Sequence, residues 1–154
     1  MPKKYALLPI FLFFAFSLCG QATPLDSLIT VSKQQKGEAL VLTLNEISWQ
    51  YRNIQVDSAL WYAKKALKVS ELLGDEKLNA AAFNSMASAF QANAVYDSAM
   101  YYHEKSLKIN NGIGDSIAIA NTLNNLGIIN DELGNFAASL ENYFKALRIY
   151  ENNG

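Results

Sequence analysis

The sequence predicts an all-α protein in which three similar pairs of helices stack side by side after a short N-terminal helix. Segments of similar sequence occupy residues 44–67, 83–107 and 123–147, so the pattern recurs at intervals of about 40 residues. Within each segment, apolar residues return at the three- and four-residue spacing of one helix face, without strand-like alternation. Because a pair of short helices cannot bury its apolar face alone, neighbouring pairs should stack into one continuous core.

Recurring residues define three repeated units, which we place at residues 38–74, 75–114 and 115–154. A Gly-Asp pair marks the junction after each of the first two units, and Gly154 keeps the same spacing. The first unit lacks one residue between Tyr51 and Ala59. This places a turn there, because turns tolerate changes in length and helices do not. Gly134 gives a turn signal in the third unit, so each unit is predicted to be a helix, a tight turn and a helix.

Residues 23–37 precede the first unit and are predicted to form an N-terminal capping helix and a linker. Asp26 is a suitable cap for a short helix that carries Leu28, Ile29 and Val31. We expect this helix to cover the open end of the stack.

Residues 1–22 have the composition of a signal peptide for export. Lys3 and Lys4 precede an apolar run at residues 6–18, and Gly20 and Ala22 are small residues suited to cleavage after Ala22. The apolar run is shorter than the roughly 20 residues that a membrane-spanning helix needs. The sequence therefore predicts an exported protein, either periplasmic or secreted.

Two alternatives for the N-terminus remain open at the level of sequence. The segment could be retained as a membrane anchor, or Cys19 could be lipidated as in bacterial lipoproteins. Leu18 argues against lipidation, because a lipobox has a small residue directly before the cysteine. We expect no membrane association unless one of these alternatives holds.

The repeated units resemble the tetratricopeptide repeat family. That pattern combines large apolar residues with small residues where helices cross closely; the third unit supplies Leu123, Leu126, Gly127, Asn130, Ser139, Tyr143 and Ala146. Asn130, Ala63 and His103 depart from it, since each stands where the family has an aromatic residue. The period of about 40 residues exceeds the usual 34 or so and is similar to the long repeats of kinesin light chains and several bacterial regulators. The resemblance implies a right-handed superhelical stack of three helix-turn-helix units.

Composition argues against catalysis and against nucleic-acid binding. His103 is the only histidine, and it lacks the second histidine of a helical metal motif. No phosphate-binding glycine loop is present, and the formal net charge of -1 does not suit a nucleic-acid surface. We therefore predict a protein that is not an enzyme, with no cofactor and no metal site.

A row of asparagines is the best candidate for a binding site. Asn45, Asn84 and Asn124 each follow the same apolar position of their unit, and Asn121 and Asn125 extend the polar patch. The family resemblance implies that these residues face a concave groove, where amide side chains can pair with the backbone of an extended peptide. The alternative is that they are ordinary polar residues on an exposed helix face.

These observations predict an exported scaffold that binds a protein or peptide in its concave groove. The alternative is the N-terminal input region of a longer bacterial signalling protein, such as a sensor kinase or a transcriptional regulator. The sequence also predicts a C-terminal stacking or partner face made of Phe144, Leu147, Ile149 and Tyr150, because burying one such side chain is worth roughly 1.5–3 kcal/mol. Three alternatives remain open: the chain dimerises end to end, it binds a partner through this face, or it is a fragment of a longer protein.

Cleavage of the N-terminal segment can be tested directly. Expression in a cell that exports the protein should yield a chain that begins at Thr23, because Gly20 and Ala22 are the best-placed small residues. Intact mass spectrometry measures this. A product that still carries Lys3 and Lys4, or one that begins at a lipidated Cys19, would contradict the prediction.

Overall fold

The computed structural model describes residues 23–153, which form seven α-helices and no strand. The signal peptide, Cys19 and Gly154 lie outside the described residues. The helices are α1 (Pro24–Ser32), α2 (Gly37–Tyr51), α3 (Val56–Leu73), α4 (Glu76–Ala92), α5 (Tyr96–Ile113), α6 (Ser116–Glu132) and α7 (Phe136–Asn153).

The helices form three hairpins that stack in chain order. Short turns join α2 to α3, α4 to α5 and α6 to α7, and the two helices of each hairpin pack tightly together. The hairpins are joined through contacts of α3 with α4 and of α5 with α6, and α1 packs on α2. The predicted all-α solenoid of three helical pairs after a short N-terminal helix is therefore confirmed.

The repeated Gly-Asp pair ends one hairpin and begins the next. Gly74 and Gly114 close α3 and α5 with φ of 67° and 73°, in the left-handed region that favours glycine. The aspartates that follow cap α4 and α6, where each carboxylate accepts a hydrogen bond from a backbone N–H in the first turn, over 3.0 Å. Asp115 also pairs with Lys77 of α4 at 2.9 Å, which ties the second hairpin to the third.

Small side chains allow the helices to cross closely. Ala59, Ala63, Ala66 and Ala99 are fully buried on the second helices. Several buried hydroxyl groups nearby donate hydrogen bonds to backbone carbonyls. Ser70 donates to the carbonyl of Leu67 over 2.9 Å, for example. The core therefore consists largely of alanine and serine at the crossings, with leucine and isoleucine between them.

Gly127 offers a sharp test of this close packing, because a methyl group there would lie 2.6 Å from Cε1 of the Tyr143 ring. Gly127→Ala should lower the free energy of unfolding by roughly 1–3 kcal/mol through overpacking. In a Tyr143→Ala background the same change should instead stabilise by up to about 1 kcal/mol, since alanine is the better helix former. Denaturant unfolding of the native protein and the three variants measures this coupling, and equal effects in both backgrounds would show that the ring does not limit the site.

Candidate functional site

A cleft opens between the first helices of the second and third hairpins. α2 packs directly against α4, whereas α4 and α6 barely touch, and α5 lies beneath both of them. At the first junction, where the first hairpin meets the second, the contacting residues include Ala66 and Ala82. At the second junction, where the second hairpin meets the third, Ser106 and Thr122 occupy the equivalent positions. We call the resulting space the α4–α6 cleft.

One end of the α4–α6 cleft lies near the N-termini of α4 and α6 and has a volume of about 180 Å³. Seven of its ten lining residues have polar side chains. Ser106 and Asn110 of α5 are joined by a 3.2 Å hydrogen bond, and Ser106 also donates to the carbonyl of Ala80 over 2.9 Å. The Lys77–Asp115 ion pair lies at the edge. The Ala118 N–H and Lys77 hold the pKa of the Asp115 carboxyl below its ordinary value, so this carboxylate stays charged at neutral pH.

The other end of the cleft is larger, about 350 Å³, and lies near the C-termini of α2, α4 and α6. Arg52 stacks on the Trp49 ring, with its guanidinium carbon 3.3 Å from the ring centroid, and donates to the Trp49 carbonyl over 2.7 Å. Tyr96, Asn125 and Glu132 complete a wall that mixes aromatic, amide and charged groups. This end therefore presents an aromatic platform beside hydrogen-bonding side chains.

The five predicted asparagines do not form one exposed row. Both amide atoms of Asn45 are enclosed without a hydrogen-bond partner, because α2 packs directly on α4. The expectation that Asn45 faces an open groove is therefore wrong. Asn84 lines the cleft with its Oδ1 enclosed and unpartnered, and Asn125 lines the larger end. Asn121 lines the smaller end and accepts a hydrogen bond from Tyr150 over 2.6 Å, while Asn124 is exposed and lines neither end.

The predicted partner face on α7 is only partly as expected. Phe144 and Leu147 are exposed on the outer side of the helix, whereas Tyr150 is 38% exposed and its hydroxyl donates a hydrogen bond to Asn121 of α6. Ile149 instead turns inward and packs beside the cluster of Ala120, Leu123 and Ala146. Its assignment to the outer face is corrected accordingly: at 100° per residue, Ile149 lies well round the helix from its neighbour Tyr150.

His103 is fully buried on α5, beneath the larger end of the cleft. Its Nε2 lies 3.5 Å from Oε1 of Gln91, which lines that end, and its Nδ1 has no partner. Burial lowers the pKa of the imidazole to about 4, so His103 is neutral at physiological pH. A neutral, enclosed imidazole of this kind supports packing under the cleft wall.

Trp49 and Arg52 are site residues that the sequence reading missed. Each occurs in one unit only, so neither belongs to the repeated positions from which the sequence predicts the groove. The available signal was a tryptophan followed three residues later by an arginine on a predicted helix, which places the two side chains on the same face.

Residues 23–153 contain no cluster of three or more His, Cys, Asp or Glu side chains that could hold a metal ion. Among the helices of that same part of the chain, none has the length and apolar character required to cross a membrane.

Comparison with known proteins identifies the repeat. The family model described as tetratricopeptide repeat matches residues 78–152, which span α4 to α7. The chain belongs to the tetratricopeptide repeat family. Repeats of this family are in general non-catalytic scaffolds that bind proteins or peptides. No curated protein matches the sequence.

Among solved structures, the tetratricopeptide array is similar to the crystal structure of BtubC (BKLC) from P. vanneervenii. The TM-score is 0.69 at 20% sequence identity, and the match covers 84% of this chain and 56% of that protein. The chain thus spans little more than half the length of that structure. A likeness at this identity supports the shared helical solenoid fold alone.

Burial of His103 predicts a pH-dependent stability. The imidazole has a pKa of about 4 in the folded chain and about 6.5 when unfolded, so the unfolded state binds the proton more readily. Stability should be complete above about pH 6.5 and should fall by roughly 3 kcal/mol as the pH drops to about 4.

The control is His103→Gln, which is polar and carries no titratable group. The difference in free energy of unfolding between the two proteins, measured by denaturant titration from pH 4 to 8, isolates the histidine from the carboxylates. A difference that does not change with pH would mean that His103 is not enclosed.

Proposed function

We propose that the chain is a scaffold that binds an extended peptide segment of another protein in the α4–α6 cleft. The observation that supports this best is the separation of α4 from α6. It leaves a pocket at each end of the α4–α6 cleft, and each pocket has several polar side chains in its lining. Extended peptides carry unpaired N–H and C=O groups along their length, and these need partners of both kinds.

The chemistry of the cleft suits a peptide backbone. Asn84 and Asn125 each carry an amide donor and an amide acceptor, and they come from the two helices that flank the cleft. The enclosed, unpartnered Oδ1 of Asn84 is an acceptor that a small local movement would make available to a peptide N–H. At the larger end, Trp49 and Ile128 give apolar surface for a side chain of the same peptide.

Export is part of the proposal and rests on residues 1–22 of the sequence. An exported scaffold would meet its partner in the periplasm or outside the cell. The second candidate function is the input region of a longer signalling protein, in which the cleft would receive the signal. The coding sequence downstream of Gly154 separates the two: an in-frame apolar segment of about 20 residues followed by an output domain favours the signalling role.

We also propose that the outer face of α7 is a contact surface for another helix. Phe144, Leu147 and Tyr150 are all more than a third exposed and lie within two turns of one another, and an exposed apolar patch of this kind is typical of a contact surface.

The peptide-binding proposal is tested with a random peptide library selected on the purified protein. For a selected peptide, Asn84→Ala and Asn125→Ala should each weaken binding by about 1 kcal/mol, the typical value of one hydrogen bond. The matched control is Asn124→Ala, which removes an exposed asparagine from the same repeat without touching the cleft. Equal affinities for all variants, with helicity unchanged by circular dichroism, would show that the peptide binds elsewhere.

A further inference from the structure

α7 carries a continuous apolar face that no other described residue covers. We define this α7 outer face by Phe136, Leu140, Phe144, Leu147 and Tyr150, which are 64%, 54%, 61%, 49% and 38% exposed, in that order. Phe136, Leu140, Leu147 and Tyr150 stand at the positions of a heptad seam. Phe144 lies beside the seam, since the remaining seam position is that of Tyr143, whose ring packs over Gly127 of α6.

The equivalent face is covered on the second helices of the other two hairpins. Leu147 corresponds to Leu67 and Leu107, which pack in the two apolar clusters beside Leu78 and Ala120 of the following helices. In this fold, therefore, the face that Leu147 occupies is built to receive another helix.

Phe144 shows that this face differs from an ordinary junction between repeats. The equivalent residues of α3 and α5 are Lys64 and Glu104, which are charged and exposed although a following helix is present. A further repeat stacked in the same way would leave Phe144 in water. The α7 outer face is thus wider than the faces that repeats bury, and its occupant must cover this extra row.

We propose that the occupant is α7 of a second copy of this chain, packed antiparallel about a two-fold axis near residues 141–142. This inference rests on the proposal that α7 is a contact surface. A heptad seam pairs with itself in this orientation, which sets Phe136 opposite Leu147 of the second copy and Leu140 close to the axis. Phe144 then covers the flank of the same seam.

The charges on α7 are compatible with this arrangement. Glu141 and Lys145 pair with each other along the helix, and they lie with Arg148 on the sides away from the seam. Self-pairing of α7 therefore buries none of these three charged groups. Tyr150 is held at one end by its hydrogen bond to Asn121, which orders that part of the face before association.

The size of the contact sets the expected strength. Five large side chains, each roughly half exposed, offer on the order of 500 Å² per copy. The total of about 1,000 Å² lies at the lower limit for specific interfaces. The dimer should therefore be reversible, with a dissociation constant of about micromolar size.

Sedimentation of the protein as cells produce it, over a concentration series, tests this inference. We expect a monomer–dimer equilibrium that Phe144→Glu weakens at least about a hundredfold. Phe144→Lys should act in the same way, and both should fold because charged residues occupy the equivalent positions of α3 and α5. Leu72→Glu is the matched control, since Leu72 is 81% exposed on α3 and lies outside the seam.

A monomer at all concentrations, larger open-ended assemblies, or an equal effect of Leu72→Glu would overturn the inference. Binding of a hydrophobic dye, compared between the native protein and Phe144→Glu, separates this failure from that of the broader proposal. If the native protein is a monomer that binds the dye and Phe144→Glu does not bind it, α7 remains a contact surface for a different helix. If the monomeric native protein does not bind the dye, both the dimer and the contact surface are ruled out.

Disulfide formation tests the orientation, in a Cys19→Ser background that removes the chain's only cysteine. A mixture of Phe136→Cys and Leu147→Cys proteins should form the mixed disulfide faster than either variant forms a disulfide with itself, because the antiparallel pair sets these residues opposite each other. Faster formation of the symmetric disulfides would indicate parallel helices and would contradict the proposed pairing.

Discussion

The first and second hairpins each depend on the following helix to cover an apolar face that they cannot bury alone. Leu67 and Leu107 illustrate the constraint, since each lies on the second helix of a hairpin and packs beside residues of the hairpin that follows. Burial of this kind scales with area, so the contact between neighbours, and not the helical propensity of any single helix, supplies most of the stability. The Gly-Asp junctions matter because they fix where each new helix begins relative to the last.

The same constraint explains why the candidate site lies where it does. At the first junction, α4 packs on both α2 and α3, and nothing large enters between them. At the second junction, α6 packs on α5 but hardly on α4, and serine, asparagine and threonine meet there. Polar side chains that satisfy one another hold helices together less tightly than apolar contacts, and they leave space. The cleft is thus a local weakening of the contact that builds the remainder of the array.

The repeated part of the fold was predictable, because the helical period, the turn residues and the register are local properties that each of the three units shows independently. The site was predictable only in part. Asn45, Asn84 and Asn124 are equivalent in sequence, yet one is enclosed, one lines the cleft and one is exposed, because the spacing of the first helices differs between junctions. Equivalence in a repeat fixes the position along a helix, but the separation of neighbouring helices depends on side chains from two units at once. Trp49 and Arg52 escaped prediction for the opposite reason, since they do not repeat.

Asn84 lines the cleft although asparagine stands at the same position in each unit, whereas three other residues near the candidate surfaces depart from the repeat. His103 replaces a family aromatic and supports the floor of the larger end, Asn110 replaces the Ser70 of the preceding hairpin in the wall of the smaller end, and Phe144 replaces an exposed charge on α7. Two of these three lie at the second junction, where the array opens, and the third lies on the face of α7 that no described residue covers. The departures thus coincide with the cleft and with the face of α7 that the described residues leave uncovered, and this coincidence is the physical reason to expect partners there.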